Sequence, residues 1–241
     1  MESIFPKEVS MATTLMAIAA HPGDAVFTMG AAVARHIQNG GHGVFLALSA
    51  GEKGAPASIP VERYGELQRE ASAKAAQLLG AEFEILTYPD AEIPLNDRAA
   101  QAVGDVIRHH RADIVLTHWN GSWHKDHQNC HLLVRDAIFY AGLAAMNRQD
   151  PPHVVRKLFF ADNWEDADNF KPDTYLDISG VFDKWMQACD AYPMWRGLTG
   201  FRYNDYYSSL AVMRGCLSGF GKAVALMSDP TDRLNRVRSL G

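Results

Sequence analysis

The chain has 241 residues, 47% of them hydrophobic, with 23 Lys and Arg against 28 Asp and Glu and a formal net charge of −5. That length suits one large α/β domain, and the apolar content supports a sizeable core, which excludes a disordered chain. The acidic balance without a basic stripe argues against nucleic-acid partners. Cys130, Cys189 and Cys216 are widely spaced with no CxxC pair, which argues against a disulfide framework and for a reducing, cytoplasmic setting.

The opening MESIFPKEVS holds one Lys against two Glu, so it lacks the basic start of a signal peptide. Residues 1–12 read as an N-terminal extension, and 13–241 as a single domain. The apolar stretch over 11–20 is too short to span a bilayer, so no membrane partner is expected. TLMAIAA (14–20) predicts a buried strand, and 25–38 a helix closed by Asn39-Gly40-Gly41. GVFLALSA (43–50) predicts a second strand, and 62–79 a long helix ended by Gly80. FEILTY (83–88) predicts a third strand, followed by a helix over 98–110. ADIVLTH (112–118) predicts a fourth, followed by a helix over 127–145. Later strands are expected in VVRKLFFAD (154–162) and TYLDIS (174–179), and later helices over 180–191 and 208–226. Four strand–helix repeats predict a single doubly wound, mostly parallel sheet with helices on both faces, a Rossmann-like α/β domain. Ligands in such sheets bind at the carboxyl ends of the strands.

Two polar clusters fall at such ends. His21 and Asp24 directly follow the first strand. They are half of a metal site, or else Asp24 caps the next helix and His-Pro forms a tight turn. THWNGSWHKDHQNCH (117–131) follows the fourth strand and holds four histidines and an aspartate. Asp126 could cap the helix there, and His131 could lie on its surface. Taken together, two imidazoles and a carboxylate with no Cys suit the open, three-ligand arrangement of catalytic rather than structural zinc. A P-loop, a GxSxG elbow and a GxGxxG fingerprint are absent from the sequence. His109 and His110 end a helix and are expected to be solvated. FRYNDYYSSL (201–210) reads as packing more readily than as a pocket lining.

His21-Pro22-Gly23-Asp24, LSAGEKG after the second strand, EASAKAAQLLGAEFEILTYPDAEI and HKDH after the fourth together resemble the PIG-L (LmbE-like) zinc-dependent N-deacetylases, over about residues 17–138 and more faintly over 171–189. The resemblance implies that His21, Asp24 and His127 bind Zn²⁺, although a His₂Asp set also accepts Fe²⁺ or Mn²⁺. It implies that His124 polarises the substrate or protonates the leaving amine, and that Asp126 orients His124. Two positions depart from the family pattern. The general-base Asp is Gly23 here, and the Glu closing the first motif is Ala25. KAVAL (222–226) also falls where many members carry an acid. His124, Asp126 or Glu52 could substitute for the missing base.

The resemblance therefore implies an N-deacetylase acting on an N-acetylated sugar or sugar conjugate. Its alternatives are a zinc-dependent hydratase of a small unsaturated keto-diacid (the 4-oxalomesaconate type), which also has a small residue at the base position, or a slow or degenerate member. Glu52, Arg63 and Arg69 are candidate substrate-binding residues. Arg202 and Arg214 join the two arginines as candidate partners of an anionic substrate. The expected partner is a small molecule, and a homo-oligomer is compatible with the sequence.

Overall fold

Side chains that alternate along one strand build two cores at once. The computed structural model describes residues 12–166 and 168–230. In β1 (Thr14–Ala19) all six residues are buried. Leu15, Ala17 and Ala19 enter one apolar cluster, and Met16 and Ile18 enter another. A strand apolar on both faces needs a helical layer on each. The first face is covered by α1 (Pro22–Gln38), α2 (Val61–Leu79), α5 (Phe182–Cys189) and α6 (Tyr203–Ser218). The second is covered by α3 (Asp97–His110) and α4 (Lys125–Gly142).

The remaining strands are β2 (His42–Ser49), β3 (Glu82–Tyr88), β4 (Ala112–His118), β5 (Lys157–Ala161), β6 (Thr174–Asp177) and β7 (Ala223–Ser228). They form one seven-stranded sheet in the order β3-β2-β1-β4-β5-β7-β6. The first five run parallel, and β7 is antiparallel to both β5 and β6. The expected doubly wound, mostly parallel sheet is therefore present. The chain winds outward from β1 to β3 and then crosses back to β4. That reversal opens a crevice between the carboxyl ends of β1 and β4, where such sheets bind ligands.

The expected helix over 208–226 is corrected. Helix α6 begins earlier, at Tyr203, and stops at Ser218 because Gly219 takes the left-handed conformation (φ 78°). The apolar run that follows becomes β7, between β5 and β6. Gly80 ends α2 as expected, also with positive φ (77°). The far end of α4 is fixed by Arg108 of α3. This buried guanidinium donates to the carbonyls of Tyr140, Ala141, Leu143, Met146 and Asp150 at 2.8–3.3 Å.

Residues 1–11 of the expected extension and 231–241 of the expected domain lie outside the described residues. Among the described residues no helix is long and apolar enough to cross a membrane.

Candidate metal centre

Backbone pairing between β1 and β4 stops at Ala17↔Leu116, while β1 stays paired with β2 to Ala19↔Ala47. Two loops enter the gap that opens there. His21 is the residue before α1, in extended conformation, and Pro22 supplies the first helical position with its φ already suited to the turn. Asp24 is not the helix cap; it sits in the first turn, and no side chain caps this helix end. Its Oδ2 lies 2.9 Å from His21 Nδ1 and 3.0 Å from His127 Nε2. One donor atom from each of His21, Asp24 and His127 falls within 4.8 Å of the others.

Two imidazoles and a carboxylate in that arrangement fit a divalent ion. Burial lowers the His127 imidazole, but the charge and hydrogen bond of Asp24 and the contact with Glu165 overcome this and raise it to about 9. Burial likewise opposes charge on His21, and Asp126, Asp24 and Asp90 raise it well above its ordinary value. Asp24, pushed up by burial and down more strongly by the two imidazoles, stays ionised.

Each imidazole also has a carboxylate behind it. Asp90 Oδ1 is 2.9 Å from His21 Nε2, and Glu165 Oε2 is 2.9 Å from His127 Nδ1. The resulting row is Asp90, His21, Asp24, His127, Glu165. Carboxylates in this position fix ring orientation and raise ligand basicity. Asp90 is held in turn: its Oδ2 accepts the Lys53 N–H at 2.8 Å, and its own N–H donates to Glu52 Oε1 at 2.9 Å. His21 Nε2 and Glu165 Oε2 are buried without an aligned hydrogen bond, as is Asp126 Oδ1. Of the three, His21 Nε2 keeps its charged contact with Asp90 and Glu165 Oε2 its contact with His127, which leaves Asp126 Oδ1 as the unpartnered atom beside the donor set. Sequence reasoning passed over Asp90 and Glu165. The signal available was their position, shortly after the ends of β3 and β5.

His124 is the cap of α4: its Nδ1 accepts the Asp126 backbone N–H at 3.1 Å. An acceptor Nδ1 leaves the proton of the neutral ring on Nε2. Burial, then the charges of His127 and His21, lower its pKa, so the neutral form is favoured. The expected orientation of His124 by the Asp126 side chain is corrected: it is the backbone amide at 126 that meets His124. The Asp126 carboxylate instead accepts the Ala91 N–H at 2.7 Å and lies 3.5 Å from His21 Nε2. Ala91 holds positive φ (62°) to present that N–H. Two histidines differ from expectation. His131 is buried, not on a helix surface, with Nδ1 2.9 Å from the His118 carbonyl. His110 is largely covered and lies 2.5 Å from Glu84, so of the expected solvated pair only His109 is exposed.

The site opens into a cleft of about 280 Å³, whose walls include Gly23, Lys53, Tyr64, Trp164, Met194 and Tyr203. A Cβ at Gly23 would lie 3.3 Å from Met194 Sδ and 3.4 Å from Phe27 Cε2. The thioether of Met194, itself near Tyr64 and Gln68, therefore fills the space beside Gly23. Of the 201–210 segment, Tyr203 faces the cleft while Tyr207 packs against Phe27 and Trp195.

The other candidate residues lie elsewhere. Glu52 stands behind Asp90 and off the cleft wall. Arg63 is exposed and bridges Glu66 and Glu70, and Arg69 is exposed on the same helix. Arg202 pairs with Asp205, and Arg214 with Asp162. Lys53 is the one Lys or Arg on the described cleft wall, and its Nζ is 2.5 Å from Glu92.

The model of the PIG-L family, described as GlcNAc-PI de-N-acetylase, matches residues 16–138, and the chain belongs to this family. It is similar to the 4-oxalmesaconate hydratase of Pseudomonas putida KT2440, with 27% identity over 214 residues, 83% of this chain and 79% of that one. It is also similar to the diacetylchitobiose deacetylase of Thermococcus kodakarensis, with 25% identity over 226 residues, 85% of this chain and 79% of that one. In fold it resembles the crystal structure of the 4-carboxy-2-hydroxymuconate hydratase of Pseudomonas putida KT2440. There the TM-score is 0.82 at 22% identity, covering 94% of this chain and 98% of that one.

Proposed function

We propose that the protein is a metal-dependent N-deacetylase, with zinc as the favoured ion, that acts on an uncharged N-acetylated polar molecule such as an N-acetylated sugar or sugar conjugate. The observation that carries this reading is the charge of the site. Four carboxylates, those of Asp24, Asp90, Asp126 and Glu165, surround His21 and His127. With both ligand imidazoles neutral, a divalent ion offsets two of these charges and leaves the site negative. A dianionic keto-acid is repelled by such a site, whereas the ammonium product of amide hydrolysis is stabilised by it.

His21, Asp24 and His127 would hold a divalent ion, which would supply a Lewis acid able to lower the pKa of a water to about 7 and polarise an acyl carbonyl. Asp90 and Glu165 hold the two imidazoles in orientation. His124 presents Nε2–H from the α4 cap and would donate a hydrogen bond to the acyl oxygen as negative charge builds there, keeping its proton, while a proton of the attacking water passes to the departing nitrogen. Gly23 offers no carboxylate to take the proton of water, which removes a contribution of roughly 10²–10⁴-fold. Trp164 and Tyr203 provide apolar faces for a sugar ring.

Acetate release from N-acetylglucosamine and its conjugates by zinc-loaded protein tests this reading. Release that disappears on chelation and returns with zinc supports it. No release from any neutral N-acetyl substrate by metal-loaded protein refutes it. A second reading, hydration of an unsaturated keto-diacid, is favoured by one observation: the base position is empty of polar atoms and filled by Met194. Loss of the absorbance of such a keto-diacid, without acetate release, would establish it instead.

A further inference from the structure

We propose that His118 is a positioning residue of the metal centre, a single imidazole that fastens the two ligand-bearing loops to each other across the crevice between β1 and β4. The inference rests on the reading of His21, Asp24 and His127 as metal ligands. Its starting point is the place where the backbone ladder ends. Beyond Ala17↔Leu116 the two strands share no further backbone pairs, while β4 remains paired with β5 through His118↔Ala161. His118 is the last residue of β4 and is buried.

Its Nε2 accepts the backbone N–H of Ala20 at 3.0 Å, on the residue immediately before His21. The Ala20 carbonyl is engaged on the other side, by the Ser49 N–H of β2 at 3.0 Å. The His118 side chain thus supplies the bond that the β1–β4 ladder no longer provides. Its ring also lies flat against His127, with centroids 3.9 Å apart and planes 13° apart. Its carbonyl accepts from His131 of α4 at 2.9 Å. One residue therefore touches the strand end that aims His21, the ring of His127, and the helix that carries His127. A Leu here would leave a buried N–H without an acceptor and remove the flat face. A Gln could keep the acceptor but not the face.

The experiment measures Zn²⁺ affinity by competition with a chromophoric chelator, the visible spectrum of the Co²⁺-substituted protein, and folding by circular dichroism. It compares the unmodified protein with His118→Leu and His118→Gln. The expected result is a dissociation constant roughly 10- to 100-fold weaker in His118→Leu, the range found for residues that orient metal ligands, with part of the loss recovered in His118→Gln. Both variants should show a shifted cobalt spectrum. A folded His118→Leu with unchanged affinity and spectrum overturns the proposal. Equal weakening in both variants overturns the role of the Ala20 contact. If His118→Leu does not fold, His118→Gln decides: unchanged affinity and spectrum overturn the proposal, and a change in either supports it. Failure of the unmodified protein to take up either ion overturns the metal reading itself, which separates the two claims.

Discussion

Gly23→Asp returns a carboxylate to the place where the family keeps its base, and the structure sets what this can achieve. Position 23 lies in the first turn of α1, where a negative charge is favoured by the helix dipole by about 0.3–1 kcal/mol. Replacing glycine within a helix adds about 0.5 kcal/mol more. Against this stand the adjacent charge of Asp24 and the 3.3 Å approach of the new Cβ to Met194 Sδ. That approach asks for a shift of a few tenths of an ångström from the flexible end of a methionine, which it can supply. Folding stability should therefore change by less than about 1 kcal/mol. A positioned base contributes roughly 10²–10⁴-fold. Because Met194 must yield its contacts with Tyr64 and Gln68, the gain expected is at the low end, about 100-fold in kcat, or about 2.7 kcal/mol of barrier. Steady-state acetate release by zinc-loaded protein reads it. Met194→Ala added to Gly23→Asp should raise the rate further by clearing room. A folded, metal-bound Gly23→Asp protein that releases acetate no faster, alone or with Met194→Ala, refutes the reasoning and counts against hydrolysis as the native reaction.

Three further outcomes are expected. Stability of the metal-free protein should fall as pH rises from 6.5 to 9. His127, raised from 6.5 to about 9, binds its proton more tightly folded than unfolded, so its contribution is present below this window and lost through it. Asp166, raised by burial from 3.8 to about 8, loses its contribution from about pH 4 to 8 and adds to the fall over the first part of the window. A melting temperature in chelator that stays flat or climbs over the window contradicts it. His127→Ala should abolish both turnover and the stabilisation by zinc, which for the unmodified protein is about 2.7 kcal/mol at a hundredfold excess over Kd; zinc-dependent melting checks this. Arg108→Met should cost about 3–5 kcal/mol, because the carbonyls it serves at the end of α4 lose a charged donor inside the protein. A chemical denaturation midpoint within error of the unmodified protein would show that water or backbone takes over those bonds.

The five parallel strands were legible because each is a short run, apolar throughout or alternating, bounded by glycine or polar turns, a pattern that needs no long-range information. The strand at 223–228 was not, since its apolar run continues from a helix. The punctuation that separates them is a single glycine whose left-handed backbone shows only in three dimensions. His21, Asp24 and His127 were legible as two short clusters at strand ends, and the structure brings them together. Asp90 and Glu165 were not. Each is one acid with no sequence partner, and each acquires its role from the loop that carries it to the back of an imidazole. The arginines lie away from the cleft for the opposite reason. Composition supplied candidates, but Arg63 and Arg214 find carboxylate partners away from the cleft.

The walls of the cleft divide by position along the chain. His21, Asp24, Asp90, His124 and His127 all fall within the stretch that matches the family, 16–138, whereas Trp164, Glu165, Met194 and Tyr203 follow it. The candidate metal ligands are thus carried by one length of polypeptide, which also forms much of the cleft wall, while a later length adds Trp164, Met194 and Tyr203 to it. The two meet at the site where Glu165 contacts His127 and where Met194 contacts Tyr64 and Gln68. Substitutions at Trp164, Met194 and Tyr203 reshape the cleft while Glu165 stays in place against His127. That division makes Trp164, Met194 and Tyr203 the positions to exchange when a new specificity is sought.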